Sequence, residues 1–112
     1  KEYLSSTNLK VNHNDITFSG REVSLSDEFI SMSGNPIIFS KKDKFEGYSN
    51  EIRIDLKKKL LYLSGTSNIL IDGKDITGEE IIFDYSNNSI LNSENLRIKS
   101  GNSWTQKYKK KL

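Results

Sequence analysis

The chain alternates hydrophobic and polar residues in short runs, which is the pattern of half-buried β-strands. Leu9 to Val11 and Ile16 to Phe18 show this alternation on either side of a polar turn. The same period of two recurs in runs of three to six residues, separated by Gly, Asn, Asp, Ser or Lys. We therefore predict an all-β chain of about a dozen short antiparallel strands, at spacings typical of sandwiches and barrels.

Polar clusters between these runs contain the residue types that tight turns require, because Gly and Asn accept positive φ angles. The two ends, Lys1 to Thr7 and Gly101 to Leu112, are mostly polar, and we expect them to be loose. The predicted turns are Asn12 to Asp15, Ser26 to Glu28, Lys41 to Asp43, Lys57 to Lys59, Asp72 to Lys74 and Ser86 to Asn88.

An internal repeat is indicated by two pairs of glycines with the same separation. Gly34 and Gly65 are 31 residues apart, and so are Gly47 and Gly78. Each copy contains a glycine, an apolar run, a polar turn and a longer alternating run. A unit of two or three strands cannot bury its apolar face alone, so we expect the copies to stack edge to edge.

Composition limits the class of protein. The length of 112 residues predicts a single domain spanning the whole chain. Only 34% of the residues are hydrophobic, and the net charge of +2 provides no field that would favour nucleic acid. The absence of cysteine excludes disulfides and thiolate metal sites. No apolar run is long enough to span a membrane, and no signal-peptide pattern occurs in these residues.

Candidate catalytic groups are scarce. His13 is the single histidine, which excludes a multi-histidine metal site, and its polar surroundings predict a solvated turn residue. The neighbouring carboxylates Asp27/Glu28 and Glu79/Glu80 would point to opposite faces of a strand, which disfavours paired acid/base chemistry. We therefore expect neither an enzyme nor a cofactor.

Two lysine clusters have an open interpretation. They could contact lipid phosphates or an anionic membrane surface, although solvated charges are the commoner meaning of such runs. Trp104 and Tyr108 could cover an end of the sheet. The clusters are Lys41, Lys42 and Lys44, and Lys107 with Lys109, Lys110 and Lys111.

Alternation places one set of apolar side chains on a common face, opposite Arg53, Asp55, Thr77 and Asp84. If the sheet folds over on itself, this face becomes the interior of a flattened roll. Periodicity alone favours a filled core over an interior that stays partly open. The shared face consists of Ile37, Phe39, Ile52, Ile54, Leu56, Leu61, Leu63, Ile69, Ile71, Ile76, Ile81, Phe83 and Tyr85.

A succession of motifs from about Phe18 to Leu91 resembles the LptA/OstA family of lipopolysaccharide transport proteins. The motifs are Gly34-Asn35-Pro36-Ile37-Ile38-Phe39, Phe45-Glu46-Gly47-Tyr48-Ser49, Ile52-Arg53-Ile54-Asp55-Leu56, Leu63-Ser64-Gly65, and Ile76-Thr77-Gly78-Glu79-Glu80-Ile81-Ile82-Phe83.

This resemblance implies an open-ended β-jellyroll whose apolar interior carries the acyl chains of a lipopolysaccharide or related glycolipid across the periplasm. It also implies head-to-tail homo-oligomers, joined through edge strands to partners at the inner and outer membranes. The implied lipid-binding residues are Ile37, Phe39, Ile52, Ile54, Leu56, Leu61, Leu63, Ile81 and Phe83, continued by Ile16, Phe18, Ile30 and Met32.

Two other functions stay open. A β-rich structural or adhesion module would have a filled core and no lipid cargo. An enzyme acting on a glycan would need an exposed carboxylate pair, which the alternation does not provide.

Overall fold

A computed structural model describes residues 2–91, 96–100 and 103–107, and within them the chain forms nine β-strands and no helix. Six of the strands have ten or more residues. The strands are β1 (Glu2–His13), β2 (Ile16–Leu25), β3 (Phe29–Lys41), β4 (Phe45–Asp55), β5 (Leu60–Ile71), β6 (Lys74–Asp84), β7 (Ser89–Ile90), β8 (Leu96–Ser100) and β9 (Ser103–Lys107).

The strands form one antiparallel sheet in which neighbours in sequence are neighbours in space. The order is β1-β2-β3-β4-β5-β6-β8-β9, and β7 pairs with the end of β6. Short turns join the long strands, and several of their residues have the positive φ angles predicted from Asn, Asp and Gly, such as Asn14, Asp43 and Gly73. These hairpins confirm the all-β prediction.

Every long strand pair has an irregularity in its register near the middle. The shifts fall between Ser19 and Glu22 of β2, between Ser33 and Ile37 of β3, and between Ser64 and Ser67 of β5. Corresponding shifts occur in the β1–β2 and β4–β5 pairs. Bulges bend and twist a sheet. Their alignment across neighbouring strands defines a bend line that divides the sheet into two halves.

The chain passes back and forth between these halves. The first half contains the hairpins of residues 9–20, 37–48 and 67–78, and the second half contains residues 22–33, 51–64 and 80–90. The halves face each other, because Phe45 of the first half contacts Phe83 of the second, with ring centroids 4.8 Å apart. The sheet is therefore folded into a flattened roll.

The strands are fewer and longer than predicted from the sequence. Gly20, Gly34 and Gly65, which look like strand ends, lie inside β2, β3 and β5 at the bend line, so that two predicted short strands form one bent strand. The predicted loose ends also contain strands, since Glu2 to Thr7 belong to β1 and Ser103 to Lys107 to β9. Backbone hydrogen bonds to β2 and β8 hold these two end segments as strands, although their side-chain pattern does not predict it.

The predicted apolar face is the interior of the roll. Twelve of its thirteen residues are buried, and Leu56 is half-buried. One polar residue predicted for the opposite face is also buried: Asp55 is 6% exposed. Its Oδ1 accepts the backbone N–H groups of Lys57 and Lys58, at 3.1 and 2.9 Å, because the strand ends here in a turn.

Candidate lipid-binding interior

The interior of the first half contains a row of apolar side chains that runs across the sheet from the edge strand β1 to β8. Each member is the register partner of the next, so the row follows the strand order. It is interrupted by Gly47, whose missing side chain leaves room for the ring of Phe39. The row consists of Val11, Phe18, Phe39, Gly47, Ile69, Ile76 and Ile98.

The second half contributes two further rows in the same way. Aliphatic residues dominate both rows. One row consists of Val23, Met32, Ile52, Leu63 and Ile81, and the other of Leu25, Ile30, Ile54, Leu61, Phe83 and Ile90.

These rows contain seven of the nine predicted lipid-binding residues, all except Ile37 and Leu56. Eight of the nine have exposed fractions of 0% or 1%, and Leu56 is half-buried at the margin. Of the four residues in the predicted continuation, Ile16, Phe18 and Met32 are buried and Ile30 is half-buried. Among the described residues the interior is therefore closed around these side chains in this state.

Aromatic rings pack across the closed interior. Phe39 lies between Phe18 and Phe45, with centroid distances of 6.2 and 6.3 Å, and Phe45 contacts Phe83 edge-on. Phe45 is missing from the predicted site, although it is 4% exposed and joins the two halves. The alternation of Phe45 with Gly47 and Ser49 is the sequence signal that places it on the inner face.

The margin of the interior is apolar but only partly covered. Leu9 and Val11 lie on the edge strand β1, and Ile98 lies on β8 at the other side of the sheet. Leu25, Ile30, Leu56 and Ile90 lie near the turns of the second half. These positions are where the buried rows come nearest to solvent.

His13 is not the solvated turn residue predicted from the sequence. It is half-buried, and its Nε2 lies 3.0 Å from the hydroxyl of Tyr85, which follows β6. The two rings also make an edge contact with centroids 5.5 Å apart. Burial, followed by the charge of Lys59, lowers the pKa of His13. Burial, followed by the charge of Asp55, raises the pKa of Tyr85. This contact connects the first half to the second, 72 residues away in sequence.

A trough of about 530 Å³ lies along the second half, and its lining includes interior residues such as Ile52 and Leu63 as well as polar residues such as Glu22 and Arg53. Arg53 stacks there between the rings of Phe29 and Tyr62, with its guanidinium carbon 4.6 and 5.1 Å from their centroids. Glu22 accepts a hydrogen bond from the hydroxyl of Ser33 at 3.2 Å. The five interior residues in its lining, Val23, Met32, Ile52, Leu63 and Ile81, are each at most 3% exposed.

Within the described residues, no group of three His, Cys, Asp or Glu side chains could hold a metal ion. The same residues include no helix long and apolar enough to cross a membrane. The predicted basic tail lies outside them from Tyr108 onward, and the predicted capping of the roll by Trp104 and Tyr108 also depends on side chains outside the description.

A continuous antiparallel sheet, bent into a roll and lined with aliphatic and aromatic residues, defines an all-β, jellyroll class of protein. Among solved structures, the chain is similar to LptH from Pseudomonas aeruginosa, the LptA-homologous periplasmic component of the lipopolysaccharide transport device, which is a β-jellyroll. The TM-score is 0.67 at 14% sequence identity, and the match covers 90% of this chain and 71% of LptH. The comparison confirms at the level of the fold the resemblance found in the sequence motifs. No family model and no curated protein matches the sequence.

Proposed function

We propose that this protein is a non-enzymatic carrier that binds the acyl chains of lipopolysaccharide or a related glycolipid between the two halves of its roll. The observation that carries the proposal is the apolar lining, which runs from the edge strand β1 to β8 in a fold shared with LptH. In this proposal the nine predicted residues contact the acyl chains, together with Phe45 and the half-buried margin.

Hydrocarbon burial supplies enough free energy for such a task. Each buried methylene contributes about 0.8 kcal/mol, so a few acyl chains contribute tens of kcal/mol without any single strong contact. Because the interior is closed in this state, lipid entry requires the halves to move apart and the Phe45–Phe83 contact to open. The acyl chains would then make apolar contacts in place of those that the interior side chains make with one another.

The proposal places the protein in the periplasm, the location stated for LptH. The edge strands β1 and β9 have backbone groups available for strand addition, which is a common mode of assembly. Head-to-tail homo-oligomers and contacts with inner- and outer-membrane transport partners would use these edges.

One observation favours a second function. The tight packing of the interior is also what a β-rich structural or adhesion module with a filled core requires. Such a module would bind no lipid.

A photo-crosslinking experiment separates the two functions. A photoreactive phenylalanine analogue at Phe83 would lie inside the roll, and the same analogue at Tyr48, which is 40% exposed on the outer face, is the matched control. We expect crosslinks to purified lipopolysaccharide from position 83 and few from position 48. Equal yields from both positions, or none from position 83 in a folded protein, would contradict the carrier function.

A further inference from the structure

The turn between β3 and β4 concentrates positive charge at the end of the first half. Lys41 ends β3, and Lys42 and Lys44 lie in the turn, around Asp43 with its φ of 63°. The turn is closed by a hydrogen bond of 2.9 Å from the N–H of Lys44 to the carbonyl of Lys41. Three ammonium groups therefore project from four consecutive positions.

These lysines line a cleft of about 680 Å³ that they share with the turn between β1 and β2. Its single carboxylate is Asp15, so positive charge prevails in it. Its other walls are polar: Thr17 donates a hydrogen bond of 2.9 Å from its hydroxyl to Oδ1 of Asn12, which orients that amide. The remaining lining residues are His13 and Asn14.

The same three lysines line a neighbouring cleft of about 570 Å³, but its character is different. Four carboxylates, those of Asp15, Asp43, Glu46 and Asp72, outnumber the ammonium groups there. An anion would therefore bind in the first cleft rather than in the second.

The cationic cleft lies directly beside the place where the two halves meet. Lys44 precedes Phe45, whose ring contacts Phe83 in the interior, and His13 of the cleft contacts Tyr85. A molecule with hydrocarbon chains between the halves could therefore place a polar group at Lys42 and Lys44.

We propose that the cleft formed by Lys41, Lys42, Lys44 and the β1–β2 turn binds the anionic headgroup of an amphiphile, of the phosphate-monoester class, whose chains occupy the interior. This inference rests on the proposed carrier function and specifies the charge of its cargo. Ammonium groups bind phosphate as point charges, and the amides of Asn12 and Asn14 provide further donors.

Two pairs of exposed turn lysines provide a matched test. Lys42→Gln/Lys44→Gln removes two charges from the cleft. Lys57→Gln/Lys58→Gln removes two charges from the β4–β5 turn, which lines neither cleft. The probes are dodecyl phosphate, dodecyl maltoside as a neutral amphiphile, and inorganic phosphate.

We expect the first pair to weaken dodecyl phosphate binding about fivefold to tenfold and the second by less than about twofold, as measured by titration calorimetry. Dodecyl maltoside affinity should be the same in both variants and in the parent protein. Raising the salt concentration should remove most of the difference.

Three outcomes would overturn the inference in distinguishable ways. Equal loss of dodecyl phosphate affinity in the two variants would exclude the cleft as the headgroup site while leaving the carrier function intact. Inorganic phosphate that binds as tightly as dodecyl phosphate would show a free-anion site that does not use the interior. Failure of both amphiphiles to bind the parent protein would reject the carrier function itself.

Discussion

At Gly47, the sheet permits no side chain. A Cβ atom there would lie 2.0 Å from the carbonyl oxygen of Asn68 and 2.7 Å from Cζ of Phe39. The first contact is with the backbone of the neighbouring strand, so a rotamer change cannot relieve it. Gly47 therefore fixes both the approach of β5 and the position of the Phe39 ring in the interior.

Gly47→Ala should lower the free energy of unfolding by about 2 kcal/mol or more, because overpacking at this position displaces backbone. Gly73→Asn is the matched control. Gly73 has a φ of 73°, which Asn tolerates, and a Cβ atom at this position would have no neighbouring atom within 4 Å. Urea unfolding midpoints of the two variants measure the difference, and equal midpoints would contradict the argument.

The contact between His13 and Tyr85 predicts a pH dependence of stability. The folded protein lowers the pKa of His13, so the unfolded chain takes up a proton more readily as the pH falls through about 6.5. Stability is then greatest above that pH and decreases in more acidic solution. The positive charge of Lys59 disfavours the protonated form of His13 and so helps to lower its pKa. The negative charge of Asp55 helps to raise the pKa of Tyr85.

Melting temperatures between pH 7.5 and 5.5 test this prediction, because His13 is the one histidine in the chain and no other side chain ordinarily titrates in that range. The parent protein should melt at a lower temperature at pH 5.5. His13→Asn should reduce the pH difference, and Tyr85→Phe, which keeps the ring, tests the hydroxyl alone. An unchanged pH difference in His13→Asn would show that other groups cause it.

At the scale of the strands, two buried hydroxyl groups hold the bend line. The Oγ of Ser49 in β4 lies 2.9 Å from the Oγ of Ser67 in β5, and 3.0 Å from the carbonyl oxygens of Glu51 and Ser64. Ser67 also donates to the carbonyl of Gly65 at 2.8 Å. The two serines are at most 1% exposed, so water cannot replace these bonds. They offer hydrogen-bond donors to the backbone where the ladder is interrupted.

Ser49→Ala should therefore cost about 1 to 3 kcal/mol, because it removes a buried hydroxyl that lies within hydrogen-bonding distance of two backbone carbonyls and of the Ser67 hydroxyl. Ser40→Ala, on the outer face of β3, should change stability by less than about 0.5 kcal/mol. Chemical denaturation of both variants provides the comparison. A Ser49→Ala protein as stable as the Ser40→Ala protein would show that the bend does not depend on these hydroxyls.

The same elements show what the sequence can and cannot predict. Alternation in runs such as Ile52 to Ile54 correctly places the buried face, because the pleat has a fixed period of two. The bends are not predicted, since Gly34 and Gly65 look like strand ends when only local residues are considered. The contact of His13 with Tyr85 depends on folding the sheet over on itself. A period of two carries no information about such a contact.

The candidate site is predictable to a similar extent. Eight of the nine predicted lipid-binding residues are buried in the interior, as alternation requires, but alternation cannot distinguish a packed interior from an open one. That distinction depends on the distance between the two halves. The closure involves Phe45 and Phe83, whose contact joins strands that are not neighbours in the sheet.

At the scale of the whole molecule, the carrier function requires the two halves to separate. The chain has no cysteine, so a pair introduced at His13 and Tyr85 is unique and can be joined by a short thiol crosslinker. Their rings are 5.5 Å apart in the closed state, on opposite halves. A crosslink here should fix the halves in the closed arrangement.

We expect the crosslinked protein to take up lipopolysaccharide at least about tenfold more slowly than the same variant before crosslinking, and reduction of a cleavable linker should restore uptake. The control pair is Thr17 and Ser40, which are register partners on the outer face of β2 and β3 within the first half. A crosslink between them leaves the separation of the halves unrestricted, so uptake should be unaffected. If the 13–85 crosslink also leaves uptake unchanged, lipid enters without separation of the halves at this contact, and the half-buried margin at Val11 and Ile98 becomes the expected entrance.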